Sequence, residues 1–464
     1  MKEYIFPRTV LSENSATCTN LLKKQPWQID LSENKTTFFK SGSSLILDFG
    51  KEISGGVRVL TYKAANVSVR IRFGESLTEC CAELGGEKNA TNDHSLRDLI
   101  VHLQDFSDMS FGQTGFRFVR FDFDGDIEIK CVVAESYRLR KPVVYAYNGE
   151  DRLIKNIYEC AKHTVDLCAS KGYVWDGVKR DRLVWIGDMY PEMLALTSLY
   201  GQVKEVEDSL NFARKQTPLP GWVNGFPMYS MWWIIIVADY YKRTNRRAFA
   251  ERQLEYVKGL VSLMNSHVKE DGTLDYHFYF VDWPTHDQPD KLHGARAINI
   301  LSVKKAISLL NEFSEDTSIA ERLLEKLLKI PMEPLINKQI IALKYFATNE
   351  LSETEKGKLI EGGARGLSTF MSYFILKAIS SFDREKAIDI MKEYYGAMLD
   401  KGATTFWEDF NIEWAQNSCR IDELPQNGQK DIHGDFGAYC YIGFRHSLCH
   451  GWSAGVITFI EEEC

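Results

Sequence analysis

The sequence predicts a multidomain protein of mixed α and β structure, with an N-terminal antiparallel β-sandwich followed by a long helical domain. Hydrophobic residues alternate with period two from about residue 44 to 137, and the spacing after Tyr137 is helical almost to the end. At 464 residues, the chain also exceeds the usual size of a single domain. We therefore expect a sandwich domain over residues 1–140 and a helical domain over 141–464.

The strand pattern is clearest in two stretches, Val67–Phe73 and Phe116–Phe123, where apolar and polar residues alternate. Such alternation marks strands with one face on a core and the other in water. Glycines at 55, 56, 74, 112 and 115 separate the runs as turns would. Several short strands at this spacing favour a β-sandwich.

Helical spacing in the second part predicts twelve helices, at 150–168, 188–200, 202–215, 229–243, 246–268, 291–312, 315–329, 332–348, 353–361, 368–380, 383–400 and 447–462. An even number of helices with short connections favours antiparallel hairpins stacked in a toroid or a solenoid. The irregular stretches 172–187, 216–228, 270–290 and 401–446 are rich in Trp, Asp, Glu and His. Long loops of this kind tend to be functional, and in a toroid they would wall a pocket at one end.

Composition excludes several function classes. The net charge of −8 comes without any basic cluster, which argues against nucleic-acid binding. The longest apolar run, residues 231–238, is too short to span a bilayer. The ten cysteines have no CxxC spacing, so we expect free, mostly buried thiols and no zinc site.

The N-terminus lacks the apolar core of a signal peptide, so we expect a cytoplasmic protein, or a periplasmic one if a signal has been removed. Soluble oligomers are most often symmetric dimers, and a homodimer stays open here. Phosphate-binding glycine loops and a GxSxG elbow are missing from the sequence, and no cofactor is expected.

The strongest candidate for chemistry is the segment 176–188, which holds three carboxylates (Asp176, Asp181 and Asp188), the arginines Arg180 and Arg182, and Trp185. A glycosidase needs two carboxyl groups in different protonation states, and an aromatic side chain on which a sugar can stack. The alternative is a solvated loop whose arginines and aspartates pair locally.

Further candidates lie in later segments. Glu408 follows Trp407 between two helices and could be the partner carboxylate, or else a helix-terminal acid beside a packed tryptophan. His450 has no metal-binding spacing around it, so we predict no metal site. Aromatic positions that could stack on a sugar are Trp232, Trp233 and the Asp282–Trp283 pair. Neighbouring helical residues face different directions, so at least one of the paired tryptophans is expected in the core.

Together these motifs resemble glycoside hydrolase family 78, the inverting α-L-rhamnosidases. Residues 176–188 are similar to the family signature Asp-Cys-Pro-Gln-Arg-Glu-Arg-Leu-Gly-Trp-Thr-Gly-Asp, and 402–408 to Gly-Ala-Thr-Thr-x-Trp-Glu. Residues 447–450 resemble the Ser-x-Asn-His of the last barrel helix. The resemblance covers about residues 40–462 and implies that the helical domain is an (α/α)6 barrel. The C-terminal β-domain common in the family is expected to be absent.

The resemblance implies a role for each matching residue. Asp181 takes the place of the general acid and Glu408 that of the general base, while Asp176, Arg180, Asp188 and His450 would bind the sugar. The tryptophans Trp185, Trp283 and Trp407 would shape the pocket around the C6 methyl group. The implied reaction is inverting hydrolysis of a terminal α-L-rhamnoside in an oligosaccharide or glycoside, without a cofactor.

Asp181 is the main departure, because the family has Glu there. Its side chain is one methylene shorter, and the flanking Arg180 and Arg182 favour the ionised form, which is the wrong one for an acid. Two alternatives therefore stay open. One is an enzyme of the same fold that acts on a different sugar, as a glycosidase or a polysaccharide lyase. The other is a carbohydrate-binding protein without catalytic activity.

Overall fold

The structure, a computed structural model, describes residues 2–11, 18–24, 36–333 and 335–464. Antiparallel strands form its first part and helices most of the remainder, which is the order predicted from the sequence. The last strand of the sheet ends at Tyr137 and the first long helix begins at Arg152. None of the described helices is long and apolar enough to cross a membrane.

Eight strands of the described chain form one antiparallel sheet. They are β1 (Lys2–Ile5), β2 (Thr9–Val10), β3 (Thr37–Phe39), β4 (Ser44–Lys63), β5 (Val67–Gly74), β6 (Asp98–Leu103), β7 (Asp108–Phe123) and β8 (Ile127–Tyr137). The order across the sheet is β1-β8-β4-β7-β5-β6, with β2 beside β4 and β3 beside β8. The first three strands lie before residue 44, where the sequence pattern predicted none.

Strand β4 is the centre of the sheet, because its twenty residues pair with both β7 and β8. Its register against β7 shifts between Asp48 and Ile53 and again after Gly55, and such bulges bend a strand. A side chain at Gly55 would place its Cβ 1.8 Å from the carbonyl oxygen of Glu135, so this close approach requires glycine. Most of the buried apolar residues of β4, β5, β7 and β8 form one cluster, and Leu60, Cys131 and Val133 form a small separate one.

The described chain contains fourteen α-helices. They are α1 (Leu77–Cys81), α2 (Arg152–Cys168), α3 (Met189–Tyr200), α4 (Lys204–Gln216), α5 (Pro227–Thr244), α6 (Arg247–Glu251), α7 (Leu254–Ser266), α8 (Lys291–Glu312), α9 (Ser318–Leu327), α10 (Lys338–Thr348), α11 (Glu353–Ile360), α12 (Ser372–Ser380), α13 (Arg384–Asp400) and α14 (Val456–Glu463). A two-residue hairpin, β9 (Ala169–Ser170) with β10 (Tyr173–Val174), follows α2.

All twelve predicted helical segments contain a helix, with four corrections. The run 246–268 is two helices, because the amide of Gln253 bonds the carbonyl of Ala250 in a tighter turn. Helix α10 begins only at Lys338, after an extended Asn337 whose side chain caps it. The stretch 447–450 is irregular and 451–455 is a 3-10 turn, so α14 starts at Val456. Helix α1, inside the sheet region, was not predicted.

Helices α3, α5, α8, α10 and α12 contact one another in that order, and the turn 451–455 contacts both α12 and α3. Helix α5 is buried over nearly its whole length, from Pro227 to Tyr240 apart from Tyr229. Its run of apolar residues therefore belongs to the core of the helical part. All ten cysteines lie in the described ranges, where none forms a disulfide and seven are buried, as expected.

A buried ionic cluster joins the sheet to the helical part. Lys179 lies with its Nζ 2.9 Å from Oε1 of Glu79 and 3.4 Å from Oε2 of Glu75, and it donates to the carbonyl of His446 at 2.7 Å. His433 is within 3.4 Å of the same ammonium and bonds the Ser76 hydroxyl through Nδ1. A buried lysine is tolerated only with partners of this kind.

The carboxylate of Glu75 extends this cluster toward the end of the chain. It accepts from the amide of Leu448 at 2.6 Å and from the hydroxyl of Ser447 at 3.1 Å. Burial raises the pKa of Glu75 to about 7, against the opposing pull of Lys179. The segment 447–448 is thus held by a residue from the sheet region.

Replacing Lys179 by Met should destabilise the protein strongly, because it leaves Glu75 buried without its cation and Glu79 with only the more distant Arg97. Breaking a buried ion pair by removing one partner costs about 3–5 kcal/mol. Denaturant unfolding followed by circular dichroism measures the loss.

The matched control is Lys204→Met. Lys204 is three-quarters exposed and pairs with Asp208 on the surface of α4, so its loss should leave the unfolding midpoint nearly unchanged. Equal effects of the two substitutions would show that the buried cluster does not hold the two parts together.

Candidate active site

A cavity of about 290 Å³ lies where the sheet region meets the helical loops. Seventeen residues line it: His94, Asp176, Arg180, Asp181, Trp185, Asp188, Phe226, Tyr229, Phe278, Phe280, Trp283, Glu408, Cys440, Tyr441, Arg445, His450 and Trp452. All four irregular stretches singled out in the sequence contribute to this wall. The expectation that these loops surround a pocket is therefore confirmed.

The loop 176–183 is folded back on itself. The amide of Asp176 donates to the carbonyl of Leu183 at 3.1 Å, and the amide of Leu183 returns a bond to the Asp176 carboxylate at 2.8 Å. Between them, Asp181 and Arg182 both have left-handed backbone, with φ of 53° and 52°. Residues other than glycine rarely adopt this conformation, and such strain concentrates at functional sites.

Arg180 connects the two predicted catalytic carboxylates. Its Nη1 bonds Oδ2 of Asp181, and its Nη2 donates to Oε1 of Glu408 at 2.7 Å. The guanidinium is itself buried and also donates from Nε to the carbonyl of Arg445. Asp181 and Glu408, far apart in the sequence, are thus held at the two ends of one planar group.

Glu408 is 5% exposed and fixed on its other side by the amide of Ser447, which donates to Oε2 at 2.9 Å. Its own amide donates to the carbonyl of Ser447, again at 2.9 Å. Burial raises the pKa of Glu408, while Arg180 and the Ser447 amide act in the opposite direction. His450 lies with Nε2 3.7 Å from Oε1 of Glu408.

Asp176 and Asp188 add two more buried carboxylates to the cavity. Burial raises the pKa of each well above its ordinary value, and nearby carboxylates raise it further, Asp181 and Glu408 for Asp176 and Asp176 for Asp188. The Asp188 side chain accepts no hydrogen bond from any other residue in the described ranges. Its oxygens are therefore available to a ligand.

His450 also offers an unused polar atom. Burial lowers the pKa of its imidazole well below the ordinary value, so the ring is neutral. Nδ1 is buried and has no partner in the part of the chain that the structure describes. The ring packs on Trp452 with centroids 4.1 Å apart.

The opposite wall of the cavity is aromatic. Trp185 contacts Phe226 and Tyr229, and Phe280 contacts Trp283. Tyr229 reaches the cavity because residue 187 is glycine: a Cβ there would lie 2.1 Å from its ring. The cavity thus combines an apolar face with a cluster of carboxylates.

Of the twelve predicted site residues, eight line the cavity: Asp176, Arg180, Asp181, Trp185, Asp188, Trp283, Glu408 and His450. The other four do not. Trp232, Trp233 and Trp407 are at most 1% exposed and pack inside the helical core, since the helix or loop that carries each is covered by neighbours. Asp282 is buried behind Trp283, where it accepts from Ser368 and from the Trp283 amide.

Sequence reasoning missed nine lining residues: His94, Phe226, Tyr229, Phe278, Phe280, Cys440, Tyr441, Arg445 and Trp452. Six of them lie in the loops flagged by composition, which was the available signal. Trp452 and Tyr229 follow directly on segments already noted. His94 comes from the sheet region, and nothing in its local sequence marks it.

One group of side chains in the described ranges has the spacing of a metal site: Glu75, Glu79 and His433. The ammonium of Lys179 already lies among these three groups, within 3.4 Å of each residue. The cluster is therefore charge-compensated by the protein itself.

Known structures share this fold, although no protein-family model and no curated protein matches the sequence. A rhamnosidase from Klebsiella oxytoca with rhamnose bound superposes with a TM-score of 0.77 at 18% identity, over 100% of this chain and 96% of that chain. The family 78 rhamnosidase of Bacillus sp. GL1 gives 0.73 at 19% identity, over 96% of this chain and 48% of that one. The Streptomyces avermitilis α-L-rhamnosidase complexed with L-rhamnose gives 0.69 at 14% identity, over 99% and 43%. The chain thus has the fold of family 78 α-L-rhamnosidases and spans about half the length of the latter two proteins.

Replacing Asp188 by Asn should raise the melting temperature at neutral pH. The pKa of Asp188 is raised in the folded state, so stability falls as the pH rises past about 3.9, where the unfolded chain loses its proton. Asn removes this penalty. The gain, measured by thermal unfolding, should shrink as the pH falls toward 4.

Asp275→Asn is the control, because Asp275 is two-thirds exposed and its only ion pair among the described residues is a 3.9 Å surface contact with Lys269, so its change should leave the melting temperature unaltered. A lower melting temperature for Asp188→Asn at pH 7 would contradict the prediction and indicate a structural role for the carboxylate.

Proposed function

We propose that the protein is an inverting exo-acting α-L-rhamnosidase, with Asp181 as general acid and Glu408 as general base. The observation that carries the proposal is the pair of carboxylates at the two ends of the Arg180 guanidinium, inside a cavity lined on one side by aromatic rings. The shared fold adds support, because two of the similar structures contain rhamnose.

The architecture of the barrel is part of the proposal. Helices α3, α5, α8, α10 and α12 contact in sequence, and the turn 451–455 closes the series onto α3. A closed series of this kind is what the inner layer of an (α/α)6 barrel requires. The β-sandwich expected before the barrel is also part of the proposal. Strand β4, which is bent and paired on both sides, supports it.

The distance between the two carboxylates is compatible with inversion. Two hydrogen bonds and the width of one guanidinium limit the gap between their nearest oxygens to roughly 8 Å. Inverting glycosidases hold their carboxyl groups about 6.5–9.5 Å apart to admit a water, whereas retaining enzymes hold them at about 5–5.5 Å. The Arg180 bridge therefore fits a mechanism in which water attacks directly.

In the proposed reaction, Asp181 gives its proton to the glycosidic oxygen as the bond from that oxygen to C1 breaks. Glu408 takes a proton from a water whose oxygen forms the new bond to C1 on the opposite face. The products are β-L-rhamnose and the free alcohol. Asp181 has lost one proton to the alcohol, and Glu408 has gained one from the water. Burial of Glu408 next to a buried cation suits a base that acts on one ordered water.

Recognition of the sugar follows from the two faces of the cavity. The Asp188 carboxylate and the Nδ1 of His450, which has no partner among the described residues, can bond hydroxyl groups. The rings of Trp185, Phe280 and Trp283 offer an apolar surface for the methyl group that distinguishes a 6-deoxy sugar. A volume of about 290 Å³ lies below the usual range for drug-sized ligands and suits a single terminal sugar.

The direct test is a proton NMR time course with an aryl α-L-rhamnoside. Early appearance of the β anomer of free rhamnose is the expected result, since inversion at C1 produces it before mutarotation. Early α anomer would overturn the inverting mechanism. Rhamnose binding by calorimetry without any hydrolysis would favour the binding protein, and an unsaturated product absorbing in the ultraviolet would favour a lyase.

Replacing Glu408 by Gln should lower kcat by a factor of about 10² to 10⁴, the range that general base catalysis contributes. Rhamnose affinity, measured by calorimetry, should change little, because Gln keeps the shape of the side chain. Glu413→Gln is the control: Glu413 is exposed in the next turn and lies outside the cavity. A Glu408→Gln protein with full turnover would remove Glu408 from the mechanism.

A further inference from the structure

We propose that His94, contributed by the sheet region, forms the acid of this site together with Asp181. This inference rests on the proposed hydrolysis and deepens it. The proton delivered to the leaving oxygen is shared between Nδ1 of His94 and Oδ1 of Asp181, which are in hydrogen-bonding contact. His94 is a positioning residue in this scheme, since it acts through Asp181.

The surroundings of Asp181 are the first argument. Its Oδ2 is bonded by Arg180 and its Oδ1 faces the imidazole of His94. Arg180 can only donate, so the sole neighbour in these contacts that can take or give a proton is the histidine. Asp181 must be protonated in order to act as the acid, and the group that can exchange a proton with it, His94, lies at its Oδ1.

The second argument is the other side of the imidazole ring. Nε2 of His94 lies 3.7 Å from Oδ2 of Asp93 and 3.4 Å from Nη2 of Arg445. Because arginine only donates, Nε2 accepts from Arg445 when the ring is neutral, and in the doubly protonated ring it faces the Asp93 carboxylate instead, so both protonation states of the ring have a partner here. The four charged groups around the ring are thus Asp181, Asp93, Arg445 and, beyond Asp181, Arg180.

The third argument is that the loop carrying His94 is held in place. Asp93 pairs with Arg445 from the 401–446 stretch, and the Asn92 side chain bonds the amides of Arg97 and Asp98 at 3.0 Å. His94 has a left-handed backbone with φ of 65°, as Asp181 does with 53°. The two strained residues meet at the cavity wall, and strain of this kind persists where the surroundings enforce it.

The proposed step balances without any further reactant. Before reaction the Asp181–His94 pair carries one transferable proton. As the bond between C1 and the leaving oxygen breaks, that proton moves to the leaving oxygen, leaving an Asp181 carboxylate and a neutral His94. Water restores the proton, because the His94 side chain is 42% exposed.

The test compares two leaving groups in the full-length protein. With 4-methoxyphenyl α-L-rhamnoside, whose leaving oxygen needs a proton, His94→Gln should lower kcat by a factor of about 10². With 2,4-dinitrophenyl α-L-rhamnoside, whose leaving group departs without a proton, the same substitution should change kcat little. The alkaline limb of the pH profile should also move for the first substrate.

His102→Gln is the control, since His102 is an exposed histidine on β6 with no contact to the cavity. Equal losses on both substrates would overturn the role of His94 and assign it to structure. A wild-type protein that fails to hydrolyse even the dinitrophenyl rhamnoside would instead contradict the proposed function. Activity of the variant on that substrate also shows that it is folded.

Discussion

The contact on which the rest of the site depends is the buried pairing of Lys179 with Glu75 and Glu79. It fixes a loop of the helical part against the sheet region, because Lys179 and the two glutamates come from different parts of the chain. Through Glu75 it also holds Ser447, whose amide orients Glu408. A buried charge cluster contributes little net stability compared with well-packed apolar residues, but it specifies one arrangement of the parts that carry it.

The cavity itself works against the stability of the fold. Asp176, Asp188 and Glu408 are buried carboxylates close to one another, and each has a raised pKa. Two consecutive left-handed residues add backbone strain in the same loop. Proteins commonly tolerate such local costs where a ligand supplies the missing partners. The large apolar cluster of the helical part is what makes the costs tolerable here.

The sequence was sufficient for the order of elements and for much of the site, because both leave local signals. Period-two alternation marked the strands, and the acidic and aromatic loops marked the cavity wall. The errors came from tertiary packing. Nothing in the local sequence separates Trp232, which is buried in the core, from Trp185, which lines the cavity. Trp232 is buried because neighbouring helices cover α5, and that arrangement is decided by the fold. His94 could not be found, since its partner Asp181 is 87 positions later and belongs to the other part of the chain.

The left-handed backbone at residue 181 limits how this position can vary over evolutionary time. Asp and Asn accept this conformation more readily than residues with longer side chains, because a short polar group can bond locally. An exchange of Asp181 for Glu would therefore have to be accompanied by a change in the loop path, and the added methylene would crowd the imidazole of His94. The 91–97 loop and residue 181 therefore constrain each other sterically, although 87 positions separate His94 from Asp181 in the chain.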